Sequence, residues 1–276
     1  MAVNQVGILY HPRIERARTV GIELGRFLEA RGVLCWICSA WDEEQARAKV
    51  PGSGLILSIG GDGTILRAVR AIVPHVVPVV GINLGHLGFM TELTVDAALT
   101  KLPDLLQGEG WIEERAMIQA ELLSNGKVLH GLNDVFVGRR SSVRLVRIEA
   151  KVDGELLTTY RADGLIVATA TGSTGYSLAG GGPILYPEAK EMIVKPVCPH
   201  FCFDKTLVLP PRSVVVLRVI TTHEAVFSLD GQVEMALRND EEVRVRLSPY
   251  VARFLRIQPR SYFYASLEAK LKGTRV

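Results

Sequence analysis

The chain has 276 residues, of which 48% are hydrophobic and 22% are charged, and its formal net charge is +3. That length suits two modest domains or one large one. The composition excludes a disordered chain, and the small net charge gives no support to nucleic-acid binding. The most apolar stretch, residues 71–84, is interrupted by Pro74, His75 and Pro78 and is too short to cross a membrane. The N-terminus lacks the layout of a signal peptide, so we expect a cytoplasmic protein without a membrane or nucleic-acid partner.

The first 110 residues alternate between predicted strands and predicted helices. Strands are predicted at residues 6–10, 33–37, 55–59 and 76–82, and helices at 14–30, at 43–49, from about 64 onward, and at 97–106. Alternation of this kind predicts a parallel sheet covered by helices. We therefore expect an α/β N-terminal domain at residues 1–110.

The rest of the chain has a different character. Short β-branched runs are separated by three hairpin signals, at residues 124–127, 152–155 and 229–232. These runs predict a β-rich C-terminal domain of layered sheets at residues 111–257. A local basic cluster in this part could face an anionic ligand, although a solvated surface is the better explanation for at least half of its members, which are Arg139, Arg140, Arg144 and Arg147.

Four cysteines invite a zinc-site hypothesis, because Cys35 and Cys38 form one closely spaced pair and Cys198 and Cys202 another. The first pair falls in a predicted strand, where residues three apart face opposite sides. We therefore expect buried, reduced thiols and no metal ligands among the side chains.

The segment Gly-Gly-Asp-Gly-Thr at residues 60–64, here called the glycine turn, is the strongest chemical signal in the chain. It joins a buried apolar run to a helix and so presents backbone N–H groups at a helix N-terminus, which suits phosphate. The carboxylate of Asp62 is unfavourable beside phosphate unless it accepts a hydroxyl proton or works with a metal ion. The combination suggests phosphoryl transfer to an alcohol. The alternative is an ordinary turn in which Asp62 is the helix N-cap.

Two familiar nucleotide-binding motifs are absent from the sequence. It contains neither a Walker loop nor the glycine fingerprint of dinucleotide-binding folds and protein kinases. No lysine lies in the glycine turn, so a divalent cation, Mg²⁺ or Mn²⁺, is expected to carry much of the phosphate charge.

A second glycine-rich segment, residues 81–90, follows the next predicted strand. Ligands of open α/β sheets bind beyond the carboxyl ends of the strands, so this segment and the glycine turn could line one crevice. His86 within it could be a base, although a structural role is more common for such a loop histidine.

Two segments of the second half carry polar groups suited to a nucleotide. Asn133 and Asp134 supply donors and acceptors for ribose hydroxyls or a purine edge, or else they form a plain turn. Residues 161–183 contain a strand followed by many hydroxyls and glycines, which would let a flat ligand approach the backbone. Tyr176 in this segment could stack on a ring or could be a core residue.

Taken in order, these motifs resemble the bacterial NAD kinase family. The likeness rests on five segments, residues 60–64, 83–89, 133–134, 171–177 and 228–232. The glycine turn alone is less specific, because lipid kinases and phosphofructokinases carry similar turns. Gly175 stands where the family usually has alanine, Asp134 where glutamate is also common, and Ala170 where proline is expected.

The resemblance implies an enzyme that transfers the γ-phosphoryl group of ATP to the 2′-hydroxyl on the adenosine side of NAD, producing NADP. It implies that Asp62 activates the acceptor hydroxyl. The substrate-binding and nucleotide-binding residues that it implies are Gly60, Gly61, Gly63, Thr64, Asn83, Phe89, Asn133, Asp134, Arg161, Asp163, Thr171, Ser173, Thr174, Gly175, Tyr176, Ser177 and Gln232.

The resemblance also implies a homodimer or homotetramer and a C-terminal tail, residues 258–276, that packs on the first domain. It is compatible with NAD or NADH as acceptor and with ATP or polyphosphate as donor. Two other classes of protein stay open. One is a lipid kinase of the diacylglycerol or sphingosine type, and the other is a non-catalytic NADP(H) sensor.

Overall fold

The computed structural model describes residues 3–85, 88–140, 145–221 and 223–272. The chain divides into two compact units. Unit 1 consists of Met1–Glu114 and Ala252–Val276, and unit 2 consists of Arg115–Val251. The domain boundaries that the sequence suggests, near residues 110 and 257, stay predictions.

Unit 1 is built on a parallel sheet. Its strands are β1 (Gln5–Tyr10), β2 (Leu34–Ser39), β3 (Leu55–Ile59), β4 (Val79–Asn83) and the short β5 (Leu93–Thr94). Parallel pairing gives the order β2-β1-β3-β4-β5. Every residue of β3 and β4 is buried, as expected where helices cover both faces of a parallel sheet.

The helices of this unit that precede residue 110 are α1 (Glu15–Glu29), α2 (Glu43–Lys49), α3 (Asp62–Ile72) and α4 (Val95–Leu106). Helix α3 begins at Asp62, earlier than predicted, because the Gly61 carbonyl already accepts from the N–H groups of Thr64 and Ile65, at 2.9 and 3.3 Å. Strand β4 begins later than predicted, because Pro74 and Pro78 interrupt the apolar run before it.

Unit 2 contains two antiparallel sheets. One has six strands in the order β13-β12-β11-β8-β15-β16, and the other includes β10-β9-β14-β17. Strands β6 and β7 form a hairpin, and the first residues of β6 and the last residues of β17 belong to unit 1. Their bounds are β6 (Trp111–Leu122), β7 (Lys127–Gly131), β8 (Asp134–Arg139), β9 (Val146–Val152), β10 (Glu155–Ala162), β11 (Gly164–Ala168), β12 (Met192–Val197), β13 (Leu207–Leu209), β14 (Val215–Ile220), β15 (Ala225–Leu229), β16 (Val233–Leu237) and β17 (Glu242–Arg256).

Inward-facing side chains of the two sheets form one hydrophobic core, which includes Val137, Leu165, Phe227, Leu217 and Val245. This is the layered arrangement that the alternating β-branched runs predict. A short helix, α5 (Tyr176–Ala179), follows β11 after a 3₁₀ turn at Gly172–Thr174. The last helix, α6 (Tyr262–Leu271), belongs to unit 1.

The predicted hairpins form as their turn residues require. Asp153 and Gly154 join β9 to β10 with φ angles of 52° and 90°, and Asp230 and Gly231 join β15 to β16 with φ angles of 53° and 63°. Asp-Gly pairs accept positive φ at both positions. The predicted class, an α/β domain followed by a β-rich one, is confirmed by these elements. No helix in the described part of the chain is long and apolar enough to cross a membrane.

The expectation of buried thiols is correct for Cys38 alone. Cys35 and Cys202 are half-buried, and Cys198 is exposed. Cys35 lies on β2, the last strand in the order of paired strands among the described residues. Cys198 follows the end of β12 with a φ of 48°, so it lies in a turn and not in the core that we predicted for it.

Candidate functional site

The glycine turn follows β3 and opens α3, at the carboxyl end of the parallel sheet. Gly60 has a φ of 151°, and a Cβ there would lie 2.3 Å from the Thr64 Oγ1 atom, so only glycine fits. Thr64 is buried, whereas Gly61 and Gly63 are exposed. The turn is therefore fixed from within, and its outer backbone is open to a ligand.

Asp62 connects the glycine turn to the next glycine-rich segment. Its Oδ2 atom accepts a hydrogen bond from the Phe89 N–H at 2.8 Å, and its Oδ1 atom accepts one from the Met90 N–H at 3.0 Å. Gly88 packs so closely that a Cβ there would lie 2.3 Å from Asp62 Oδ1. The structure thus brings the two segments together, as predicted. The N-cap alternative for Asp62 is wrong, because Gly61 occupies the N-cap position and Asp62 is the first helical residue.

The segment that receives Asp62 is itself held by buried polar groups. Asn83, at the end of β4, is buried and its Oδ1 atom accepts from the Gly85 N–H at 3.0 Å. Arg256 donates from Nη1 to the Met90 carbonyl at 2.8 Å and to Glu92 at 3.0 Å. His86 lies outside the described residues.

The loop that contains Asn133 and Asp134 is organised by one carboxylate of unit 2. Asp230 accepts from the N–H groups of Asn133 at 2.7 Å and Asp134 at 3.1 Å through Oδ1, and from that of Leu132 at 2.9 Å through Oδ2. Its own N–H donates to the Asp134 carbonyl at 2.9 Å. Sequence reasoning missed this role, because the Asp-Gly turn signal already explains an aspartate at this position.

Asp134 is buried beside a second carboxylate. Loss of hydration on burial, and then the negative charge of Asp230, raise its pKa to about 7. Near neutral pH the side chain is therefore poised between an acid that donates and a carboxylate that accepts. A ligand hydroxyl donating to it would favour the charged form.

The hydroxyl-rich segment packs directly on this loop. Thr169 donates from Oγ1 to the Leu132 carbonyl at 2.6 Å. A Cβ on Gly172 would lie 2.1 Å from the Asn133 carbonyl oxygen, so this contact requires glycine. A Cβ on Gly175 would lie 3.4 Å from Asn133 Nδ2 and 3.7 Å from Asp134 Oδ2. Within unit 2 the structure therefore brings residues 133–134 and 171–177 together.

The hydroxyls of this segment divide into two groups. Ser173 Oγ donates to the Ala170 carbonyl and accepts from the Leu185 N–H, and Thr174 Oγ1 donates to the Thr171 carbonyl. These two therefore stabilise the turn. Three other buried polar atoms have no hydrogen-bond partner among the described residues, namely Asn133 Oδ1, Thr171 Oγ1 and Ser177 Oγ. Buried polar groups are rarely left unpaired, so these atoms call for a polar partner that the described residues do not supply.

Tyr176 is not a core residue. It is 44% exposed, and its ring meets Phe136 edge-on with the centroids 5.5 Å apart. Burial and then the charge of Asp163 raise the pKa of its hydroxyl. Its partial exposure leaves room for a flat ligand, and stacking by Tyr176 stays a prediction.

Two arginines of the basic cluster predicted from the sequence form ion pairs with acidic residues of unit 2. Asp163 forms a two-point ion pair with Arg139, at 3.0 and 3.2 Å. Arg140 pairs with Glu224 at the surface, and Arg144 lies outside the described residues.

A cleft of about 880 Å³ is lined by residues that include Arg147, Arg161, Thr159, His200 and His223. Gln232 lies in the β15–β16 turn, where its N–H donates to the Leu229 carbonyl.

Comparison with known proteins accounts for both halves of this arrangement. Residues 39–110 match the ATP-NAD kinase N-terminal domain, and residues 132–257 match the ATP-NAD kinase C-terminal domain. An NAD kinase of Dehalococcoides mccartyi is 41% identical over 274 compared positions, covering 98% of this chain and 96% of that protein. The chain belongs to the NAD kinase family.

Other members of the NAD kinase family agree with this assignment. An NAD kinase of Chloroflexus aggregans is 36% identical over 273 residues, covering 98% of this chain and 99% of that protein. Among solved structures, an NAD kinase from Archaeoglobus fulgidus in complex with ATP matches with a TM-score of 0.78 at 24% identity, over 98% of this chain and 99% of that one. The fold is therefore that of the NAD kinases.

Proposed function

We propose that this chain transfers the γ-phosphoryl group of ATP to the 2′-hydroxyl of the adenosine ribose of NAD and so produces NADP. The chain is a member of a kinase family. The observation that supports a dinucleotide as its substrate is in unit 2. There, Asn133 Oδ1, Thr171 Oγ1 and Ser177 Oγ are buried without partners among the described residues. Such atoms suit a dinucleotide with many hydroxyl and amide groups, and not an acyl chain.

The acceptor would be bound by side chains of differing chemistry. Asp134 can accept a ribose hydroxyl hydrogen bond, and Asn133 offers an amide oxygen and nitrogen beside it. The exposed face of Tyr176 can stack on a base. Two further candidates for contact with the dinucleotide are Arg161 and Asp163. The second of these is already paired with Arg139.

Asp62 is the proposed general base. Its two hydrogen bonds from backbone N–H groups fix the orientation of the carboxylate. A carboxylate offers about four acceptor positions, so the acceptor hydroxyl can still donate to it. As the hydroxyl oxygen attacks the γ-phosphorus, the bond from that phosphorus to the bridging oxygen would break and ADP would leave, while the hydroxyl proton would pass to this carboxylate.

The donor's phosphates would lie at the exposed backbone of the glycine turn, with a divalent cation. The turn supplies one carboxylate and no lysine or arginine, a donor set that fits Mg²⁺ held mainly by phosphate oxygens and water. When bound there, the ion would neutralise charge on the transferring group. We extend the proposal to a homodimer or homotetramer on the family resemblance, and to a cytoplasmic location on the sequence pattern of the N-terminus.

The test is a direct assay of the purified chain with ATP, Mg²⁺ and NAD, in which an NADP-specific dehydrogenase detects NADP. Parallel reactions replace ATP by polyphosphate, NAD by NADH, and NAD by diacylglycerol or sphingosine. We expect NADP from NAD and no lipid phosphate. If no dinucleotide is phosphorylated by either donor, the proposal fails. Lipid phosphate would then support the lipid kinase, and tight NADP(H) binding without turnover would support the sensor.

A further inference from the structure

A group of cationic and aromatic side chains in unit 1 has no role in the reaction as described so far. It consists of His11 and Arg13 after β1, Trp41 after β2, and Arg67 on α3, and is here called the cationic cluster. The His11 and Trp41 rings have centroids 4.4 Å apart at an interplanar angle of 59°. The Arg67 guanidinium carbon lies 4.2 Å from the Trp41 ring centroid, and the Arg13 N–H donates to His11 Nδ1 at 3.2 Å.

The cationic cluster adjoins the glycine turn. The His11 N–H donates to the Ile59 carbonyl at 3.0 Å, immediately before the turn begins. A Cβ on Gly60 would lie 3.3 Å from the His11 Cβ, and Arg67 projects from the helix that the turn opens. All these contacts lie at the carboxyl end of the parallel sheet, where ligands of open α/β sheets bind.

Glu43 is the acidic residue whose charge reaches Arg67, and it already pairs with two other arginines. Burial lowers the pKa of Arg67, and the charges of Arg70 and Arg13 lower it further, against the opposite effect of Glu43. Glu43 is already occupied, because its Oε1 atom bonds Arg47 and its Oε2 atom bonds Arg70, each at 2.7 Å.

Arg67 itself has an unused donor. Its Nε atom is buried and has no hydrogen-bond partner among the described residues. Stacking on Trp41 explains the position of the guanidinium plane, but it does not satisfy this N–H group. A guanidinium with an unpaired N–H group, within reach of the charge of a second arginine, Arg13, can bind phosphate oxygens.

We propose that the cationic cluster binds the polyphosphate chain of the phosphoryl donor, with Arg67 as the main contact and Arg13 as a supporting charge. The inference rests on the proposed function, which requires a donor at the glycine turn. It supplies the cationic side chain that the turn lacks. The ligand class is a linear triphosphate, which a nucleoside triphosphate and inorganic tripolyphosphate share.

The main test measures binding without turnover. Isothermal titration calorimetry with ATP, and separately with sodium tripolyphosphate, is carried out on the wild type, on Arg67→Gln and on Arg26→Gln. Arg26 is exposed in the last turn of α1, away from the carboxyl end of the strands, so its substitution removes the same charge as a matched control. We expect Arg67→Gln to weaken both ligands about 10- to 100-fold, the usual range for a hydrogen bond between charged groups, and Arg26→Gln to change neither.

Three further readouts guard against a merely structural effect. Arg67→Lys should restore part of the affinity, because it keeps the charge but not the planar donor edge. In the coupled assay Arg67→Gln should raise the KM for ATP and leave the KM for NAD unchanged. Trp41 fluorescence should respond to tripolyphosphate in the wild type, and the response should be absent from Trp41→Phe.

The outcomes separate this inference from the proposed function. Unchanged ATP and tripolyphosphate affinity in a folded Arg67→Gln protein would overturn the inference, and so would a loss confined to ATP, which would point to the nucleoside. If Arg67→Gln does not fold, Arg13→Gln decides in its place, because Arg13 is exposed, and unchanged affinity there overturns the inference. Binding that depends on Arg67 in a wild type that makes no NADP would support the site and refute the proposed reaction.

Discussion

In each unit of the molecule an aspartate holds a neighbouring loop by accepting hydrogen bonds from backbone N–H groups. The two aspartates differ in how far their carboxylates stay accessible. Asp62 accepts from two such groups and is half-buried, at the start of a helix. Asp230 accepts from three and is only 8% exposed, in a hairpin turn. Hydrogen bonds to the backbone alone therefore do not distinguish a catalytic carboxylate from a structural one. Accessible lone pairs do, and by that criterion Asp62 can react whereas Asp230 can only position its neighbours.

The largest effect should come from Asp62→Asn. The amide can no longer take the hydroxyl proton, so turnover should fall by about 10²–10⁴-fold, the usual contribution of a general base. The free energy of unfolding should change by only about 1–2 kcal/mol, because one of two N–H acceptors is kept. Steady-state NADP formation and urea denaturation measure the two quantities. Near-normal turnover would remove Asp62 as the base.

Asp230→Ala should show the reverse pattern. It leaves three buried N–H groups without their acceptor, and each such loss costs about 1–3 kcal/mol, so we expect the free energy of unfolding to fall by roughly 3 kcal/mol or more. Activity should fall mainly through a higher KM for NAD, because the loop at residues 132–134 loses its support. Asp230→Asn, which keeps an acceptor oxygen, is the matched control and should be milder. A stable Asp230→Ala protein with a normal KM would contradict the positioning role.

The pH dependence of stability sharpens the comparison at Asp134. Its pKa is about 7 in the folded chain against 3.8 ordinarily, so between those values the folded state binds the proton more tightly than the unfolded state. Stability contributed by protonated Asp134 is therefore complete below about pH 4, declines as the pH rises towards 7, and then stays level. We expect a loss of roughly 2 kcal/mol between pH 5 and pH 7.

Asp134→Asn tests this assignment, because the amide does not titrate. Chemical denaturation at half-unit steps from pH 4 to pH 8 should show the variant gaining stability relative to the wild type up to about pH 7. Parallel curves for the two proteins would show that Asp134 is ionised in the fold throughout this range.

The comparison also shows which features the sequence can predict. The Asp-Gly turn at residues 230–231 is predictable because positive φ is a local demand that few residues meet. The bonds from Asp230 to residues 132–134 are not, because they join positions 96 to 98 residues apart. The same holds for the cationic cluster, whose members follow two different strands or lie on a helix and meet only because parallel strands end at one edge.

Motifs with glycines were informative in sequence because glycine is required where backbone meets backbone. Gly172 and Gly88 are examples, since a Cβ would overlap Asn133 or Asp62. The hydroxyls between such glycines were less informative. Ser173 and Thr171 look alike in sequence, yet one is satisfied within the turn and the other has no partner among the described residues.

The smallest effect should come from Gly175→Ala, which restores the residue expected from the family resemblance. The φ of Gly175 is −96°, outside the left-handed region that favours glycine, and the new Cβ would lie 3.3 Å from the Gly172 carbonyl oxygen and 3.4 Å from Asn133 Nδ2. Those neighbours must move by a few tenths of an ångström. We therefore expect the free energy of unfolding to change by about 0.5–1 kcal/mol at most, and the KM for NAD to change little. Gly172→Ala is the contrasting variant, because its Cβ would lie 2.1 Å from the Asn133 carbonyl oxygen. It should lower the melting temperature clearly and weaken NAD binding, and similar thermal unfolding curves for the two alanine variants would show that residues 171–175 do not pack on Asn133 as described.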